Sequence, residues 1–128
     1  MEVLTPVILA LGSNMETDDM FLQAQSRLTQ LFDHKISFTP VLMTEPIDFG
    51  KRKFRNALAS ASTPLSLPEL QRSLKVIERS CGRTPEGKAR GEITIDIDLL
   101  LFGSQKFHLS DWDRSYIREL MKELPVGK

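Results

Sequence analysis

Thr94-Ile95-Asp96-Ile97-Asp98-Leu99-Leu100-Leu101-Phe102-Gly103 alternates polar and apolar side chains in its first half and is wholly apolar in its second. Period-two alternation predicts a strand. Thr94, Asp96 and Asp98 then share one face, and Ile95, Ile97, Leu99 and Leu101 the other. Two carboxylates about 6.6 Å apart along one strand face repel each other unless a cation lies between or beside them. Mg²⁺ suits the pair, because it takes one or two carboxylates and completes its shell with waters and substrate phosphates. Spacing alone also describes a half-buried strand with a wet face. The stretches just upstream, Gly82-Arg83 and Lys88-Ala89-Arg90-Gly91, are basic and flexible, and they tilt the reading toward phosphate chemistry.

Working outward, Ser66-Leu67-Pro68-Glu69 has the form of a capping box with proline in the first turn. The helix it opens carries Leu67, Leu70, Leu74, Ile77 and Cys81 as an apolar stripe and ends at Gly82, a C′ residue. Before it, Phe54 to Ser62 reads as a strand with small alanines on one face, and Glu45 to Lys53 as a loop. Lys35 to Thr44 reads as an edge strand broken by a bulge or bend near Pro40. Nearer the start, Val7 to Leu11 is a short apolar strand, and Thr17-Asp18-Asp19 supplies caps for a helix with Phe21, Ala24, Leu28 and Leu31 on one side. After the aspartate strand, Ser110-Asp111 is read as the cap of a last amphipathic helix bearing Trp112, Tyr116 and Leu120.

The order β-α-β-β-α-β predicts an α+β fold of ferredoxin-like type: an antiparallel sheet, helices on one face, and an extra C-terminal helix. In that topology the first and last strands are neighbours. Gly12-Ser13-Asn14 is therefore expected beside Asp96 and Asp98. A length of 128 residues fits one domain over 1–128.

Lys plus Arg and Asp plus Glu number 17 each, so no net field draws the chain to nucleic acid or to an anionic membrane. The basic run Gly50-Lys51-Arg52-Lys53-Phe54-Arg55 comes without the aromatic signature of an RNA-binding sheet. The lone Cys81 excludes an intrachain disulfide, falls on the apolar stripe, and fits a reducing, cytoplasmic setting. The N-terminal residues lack the basic start of a signal peptide, and Val7 to Leu11 is too short for a membrane span.

Four segments in order, Ala10-Leu11-Gly12-Ser13-Asn14, Phe54-Arg55-Asn56-Ala57, Ile77-Glu78-Arg79-Ser80-Cys81-Gly82-Arg83 and the Thr94–Gly103 strand, resemble the 6-hydroxymethyl-7,8-dihydropterin pyrophosphokinases of folate biosynthesis. The resemblance covers most of residues 7–103. It implies Mg-dependent transfer of pyrophosphate from ATP to the hydroxymethyl group of a reduced pterin, with release of AMP. Asp96 and Asp98 match the pair that holds two Mg²⁺ ions, and Arg83 an arginine beside the phosphates. Glu78, Arg83 and Leu99 match the nucleotide site, Leu99 through its backbone. Gly12, Thr44, Ile47, Phe54 and Asn56 match the pterin pocket. The implied partners are the small molecules ATP and reduced pterin, with no nucleic acid, membrane or obligate protein partner.

The chain departs from the family's pattern in the loop before the aspartate strand and again beyond Gly103. Ile93 stands where a Gly-Pro-Arg-Thr run carries arginine, and Pro85 where a second arginine is common. A loop tryptophan has no counterpart, and no Pro-His or Arg-x-Phe element is recognised beyond Gly103. Lys88 or Arg90, Arg114 or Arg118, and Trp112 or Tyr116 are the substitutes the sequence offers. These departures leave a second expectation open, a pterin- or nucleotide-binding domain without turnover.

Overall fold

The computed structural model describes residues 3–15, 17–45, 53–82 and 84–124. In chain order the elements are β1 (Thr5–Ser13), α1 (Asp19–Leu31), β2 (Ile36–Phe38), β3 (Leu42–Thr44), β4 (Phe54–Thr63), α2 (Leu67–Ser80), α3 (Pro85–Ala89), β5 (Asp96–Phe102), β6 (Gln105–Lys106), a 3-10 turn (Leu109–Asp113) and α4 (Ser115–Met121). One antiparallel sheet runs β2-β4-β1-β5-β6, with β3 also pairing β4. This is the α+β, ferredoxin-like arrangement that the sequence predicts.

Pro40 explains why the edge strand arrives in two pieces. It lacks the N–H a ladder needs, so β2 and β3 pair separately with opposite ends of β4, at Ile36↔Ala61 to Phe38↔Ala59 and Leu42↔Asn56 to Thr44↔Phe54. The capping box of α2 is complete. Glu69 N–H donates to Ser66 Oγ at 3.3 Å, and Ser66 N–H donates to Glu69 Oε1 at 2.9 Å. Gly82, at φ +87°, takes the left-handed conformation expected just past the helix end.

Alternation divides the core in two. Val7, Leu9, Leu11, Ala57, Ala59, Ile95, Ile97 and Leu99 project to the face covered by α1 and α2, where they meet Phe21, Leu28, Leu70 and Leu74. On the opposite face Leu58 and Leu100 are buried under Ile117, Leu120 and Leu124. The C-terminal helix therefore covers the second face of the sheet, and only over that part of it.

Three elements differ from expectation. Helix α3, strand β6 and the 3-10 turn have no counterpart in the sequence reading. Ser110 and Asp111 do not cap the last helix; they lie inside the 3-10 turn, and α4 begins at Ser115 with Arg114 as its N-cap. The turn closes on itself, with Asp111 N–H donating to the His108 carbonyl at 2.8 Å and Arg114 N–H to the Asp111 carbonyl at 3.0 Å, so Ser110 and Asp111 serve a tighter coil than an α-helix. Cys81 is wholly buried, and burial pushes its thiol pKa up, as for a core residue.

Candidate active site

The half of the second face that α4 leaves uncovered is where the sequence-selected residues meet. The register sets Gly12 of β1 between Asn56 of β4 and Asp96 of β5, and Ala10 between Leu58 and Asp98. In this half of the face the central strand thus presents only a glycine and an alanine, flanked by larger side chains on both sides. The result is a trough. A cavity of about 300 Å³ occupies it, with Gly12, Thr44, Phe54, Asn56, Asp96 and Asp98 in its walls.

Gly12 is not a turn residue here, because it sits inside β1 and pairs on both sides. A Cβ built on it would meet Asn56 Oδ1 at 3.9 Å and the Arg55 carbonyl at 4.0 Å, ordinary contacts. Nothing in the protein forbids a side chain there; one would fill the floor of the cavity.

Asn56 is nearly buried and its amide is fixed. Nδ2 donates to Thr44 Oγ1 at 2.9 Å, to the Leu42 carbonyl at 3.2 Å and to the Phe54 carbonyl at 3.3 Å. All three acceptors are local, so Oδ1 is left as the open polar group of this side chain among the described residues. Phe54, the register partner of Thr44, adds a half-buried aromatic face beside it.

Asp98 lines this cavity and also a second one, of about 330 Å³, together with Gln71, Leu74, Lys75, Ile97, Leu99, Phe107 and His108. Its pKa is raised above the usual carboxylate value, first by burial; the His108 imidazole pulls it down, while Asp96, Glu78 and Asp111 push it up. A cation next to Asp98 would offset these raising causes.

Glu78 comes from the other face and is 3% exposed. Its Oε2 accepts the backbone N–H of Ile97 at 2.7 Å, and Lys75 Nζ lies 3.6 Å from Oε1. The hydrogen bond shows that the Ile97 amide points away from β1, toward the outer edge of β5. By the two-residue period, Leu99 offers its backbone groups to the same edge. Strand β6 covers only Leu101 and Phe102. Leu99 therefore brings backbone hydrogen-bonding groups to the second cavity, while its side chain is buried in the core.

Asn14 ties the segment before β5 to the end of β1. Its Nδ2 donates to the Gly91 carbonyl at 2.8 Å, its Oδ1 accepts the Ile93 N–H at 2.7 Å, and its own N–H donates to the Ile93 carbonyl at 3.0 Å. Thr94 Oγ1, two residues before Asp96, is the one buried side-chain polar atom without a hydrogen-bond partner among the described residues.

Of the sequence-selected residues, Arg83 and Ile47 lie outside the described residues, as does the Lys88 side chain. Arg90 is ion-paired with Glu92 at 3.3 Å, and Arg118 donates to the Asp113 carbonyl at 3.1 Å. Trp112 donates Nε1–H to the Phe107 carbonyl at 3.0 Å. Neither Trp112 nor Arg118 lines the cavity, whereas Arg114 and Tyr116 do.

Residues 8–125 match the family described as 7,8-dihydro-6-hydroxymethylpterin-pyrophosphokinase (HPPK). The chain belongs to the HPPK family. A folate synthesis bifunctional protein of Arabidopsis thaliana is 31% identical over 123 residues, 87% of this chain and 25% of that protein. A mitochondrial folate synthesis bifunctional protein of Pisum sativum is 29% identical over 128 residues, with coverage of 92% and 25%. A 2-amino-4-hydroxy-6-hydroxymethyldihydropteridine pyrophosphokinase of Pseudomonas aeruginosa is 32% identical over 108 residues, 80% of this chain and 65% of that one. The chain thus spans a quarter of each plant protein and 65% of the bacterial one.

The HPPK match runs past Gly103, where the motif reading stops, to residue 125. Arg114-Ser115-Tyr116 keeps the arginine-x-aromatic spacing with tyrosine in the aromatic position, and both side chains line the cavity. A search for any aromatic, in place of phenylalanine alone, would have found it.

Proposed function

We propose that this HPPK-family protein transfers the β,γ-pyrophosphoryl unit of ATP to the hydroxymethyl oxygen of 6-hydroxymethyl-7,8-dihydropterin and releases AMP. The observation that carries the proposal is the position of Asp98 in the wall of two cavities, one lined by Phe54 and Asn56 and one lined by Leu99.

The chain's own groups suit this chemistry. Phe54 offers a face for a flat ring to stack on, and Asn56 Oδ1 an acceptor for that ring's N–H groups. Leu99 offers a donor and an acceptor to a nucleobase in the second cavity. The bond that forms joins the pterin hydroxymethyl oxygen to the β-phosphorus. The bond that breaks is the one from that phosphorus to the oxygen bridging the α-phosphate, which leaves with AMP. The hydroxyl proton passes to solvent or to a neighbouring base. Little covalent work falls to the protein, so alignment across Asp98 and charge compensation dominate.

The residues fit magnesium. Among the described residues no group of three or more His, Cys, Asp or Glu side chains is placed to hold a metal ion. Two carboxylates alone suit an ion that draws its other ligands from water and phosphate. Asp96 and Asp98 would hold it, and the unpartnered Thr94 hydroxyl marks a nearby place for an ordered water. When bound, magnesium neutralises charge on the triphosphate and helps orient it.

The experiment is a coupled AMP assay with ATP and Mg²⁺, with and without hydroxymethyldihydropterin. Pterin-dependent AMP is the expected result. AMP formed equally without pterin, or none at all, would overturn the reading. One observation favours a second reading, a pterin or nucleotide binder without turnover. Ile93 lines the cavity where related motifs carry arginine, leaving Arg114 as the cationic side chain in the wall among the described residues. Calorimetric binding with no AMP formed would select it.

A further inference from the structure

We propose that Asp111 is a positioning residue for an oligophosphate, acting through Arg114; the inference rests on the reading of the cavity as the place of phosphoryl transfer. Asp111 Oδ1 accepts Nε–H of Arg114 at 2.9 Å. Both partners are held by backbone that cannot readily turn. Asp111 is hydrogen-bonded through its N–H and its carbonyl within the 3-10 turn. Trp112 locks that turn through its indole N–H, with the Lys106 ammonium 4.5 Å from the ring centroid. Arg114 has extended backbone at the start of α4, and its carbonyl accepts the Arg118 N–H at 3.1 Å.

Use of Nε leaves the two Nη groups of Arg114 without a protein partner among the described residues, and the side chain lines the cavity that contains Asp96 and Asp98. The rest of the charged lining is acidic: Glu45, Asp96, Asp98 and Asp111. An exposed ion pair three residues apart contributes only about 0–1 kcal/mol to stability. Its larger effect is directional. The carboxylate fixes the plane of a guanidinium whose remaining edge is the one that pairs two phosphate oxygens. Without Asp111 the same charge would sweep a cone of rotamers, and each bound phosphate would have to immobilise it anew.

The test is calorimetry with Mg²⁺–tripolyphosphate on the full chain and on Asp111→Asn, Arg114→Ala and the double variant, with melting temperatures alongside. The wild type is expected to bind, and Asp111→Asn to bind about tenfold more weakly with an unchanged melting temperature. The double variant is expected to bind no more weakly than Arg114→Ala alone, and Asp111→Glu to restore part of the loss. Three outcomes would overturn the inference: no binding by the wild type, binding by Asp111→Asn as tight as or tighter than wild type, or the full Asp111→Asn loss persisting without Arg114. A wild type that completes this cycle yet makes no AMP leaves Asp111 in its role and removes the pyrophosphoryl transfer instead.

Discussion

The carboxylate of Glu78 accepts the backbone N–H of Ile97 at 2.7 Å, midway between Asp96 and Asp98. A helix side chain thus does the work of a missing strand, satisfying an edge amide of β5 that would otherwise be buried without a partner. Glu78→Ala is expected to cost about 1–3 kcal/mol by leaving that amide unsatisfied. Glu78→Gln keeps an acceptor and should cost less than half as much. Urea titration of the two variants measures the difference.

Asp98 makes stability and activity pull in opposite directions. Burial raises its pKa, so holding it ionised costs the fold some stability. Asp98→Asn removes that cost and should stabilise the protein by about 1 kcal/mol or less after solvent screening. The same change should lower pterin-dependent AMP formation by at least about 100-fold. Asp96→Ala should match the loss of activity. A thermal melt and the AMP assay on each variant check both arms.

Asn14 holds Gly91 and Ile93 with both ends of one amide. Asn14→Asp turns a donor into an acceptor facing the Gly91 carbonyl, and is expected to destabilise by about 1–3 kcal/mol, more than Asn14→Ala. Asp96 lies three residues beyond Ile93, so kcat should fall in both variants while the KM for pterin changes little. Steady-state kinetics at saturating ATP separate the two parameters.

The start of α2 gives a pH signature. Ser66 holds the Glu69 carboxyl below its ordinary pKa, first through its backbone N–H and then through its hydroxyl. A depressed carboxylate contributes stability above its unfolded value and loses it as pH falls through the folded one. Glu69→Gln should therefore flatten the acid limb of the stability curve. Ser66→Ala should lower stability by about 1 kcal/mol at neutral pH, while the backbone hydrogen bond preserves part of the acid limb. Melting temperatures from pH 7 down to pH 3 distinguish the two variants.

Features with a strong local cause were legible in the sequence. Alternation put Asp96 and Asp98 on one face and Ile95, Ile97 and Leu99 on the other, although the register shift at Ile8/Leu9 pairs Leu101 with Ile8 and so turns it to the Asp98 face; the capping box placed the start of α2 at Ser66. Gly12 could be set beside Asp96 because strand order in this topology is tightly constrained. What stayed hidden depends on distant partners or on very short elements. Five residues of α3 show no period, β6 exists only because Gln105 and Lys106 fold back on Phe102 and Leu101, and Ser110-Asp111 cap signals are satisfied equally by a 3-10 turn. The two-sided role of Asp98 could not be read from spacing, since its second cavity is made by Phe107 and His108 arriving after β6. The sequence offers Tyr116 as a substitute aromatic, but its spacing from Arg114 has meaning only because both line one cavity.

The seven-residue α4 supplies Tyr116, Ile117 and Leu120 to the cavity wall. An isolated helix that short does not persist in water, so it remains only while Leu58 and Leu100 anchor it. The sheet beneath has its own, larger core on the far side, under α1 and α2. Warming should therefore fray this end first, and heat inactivation should set in several degrees before the sheet itself melts.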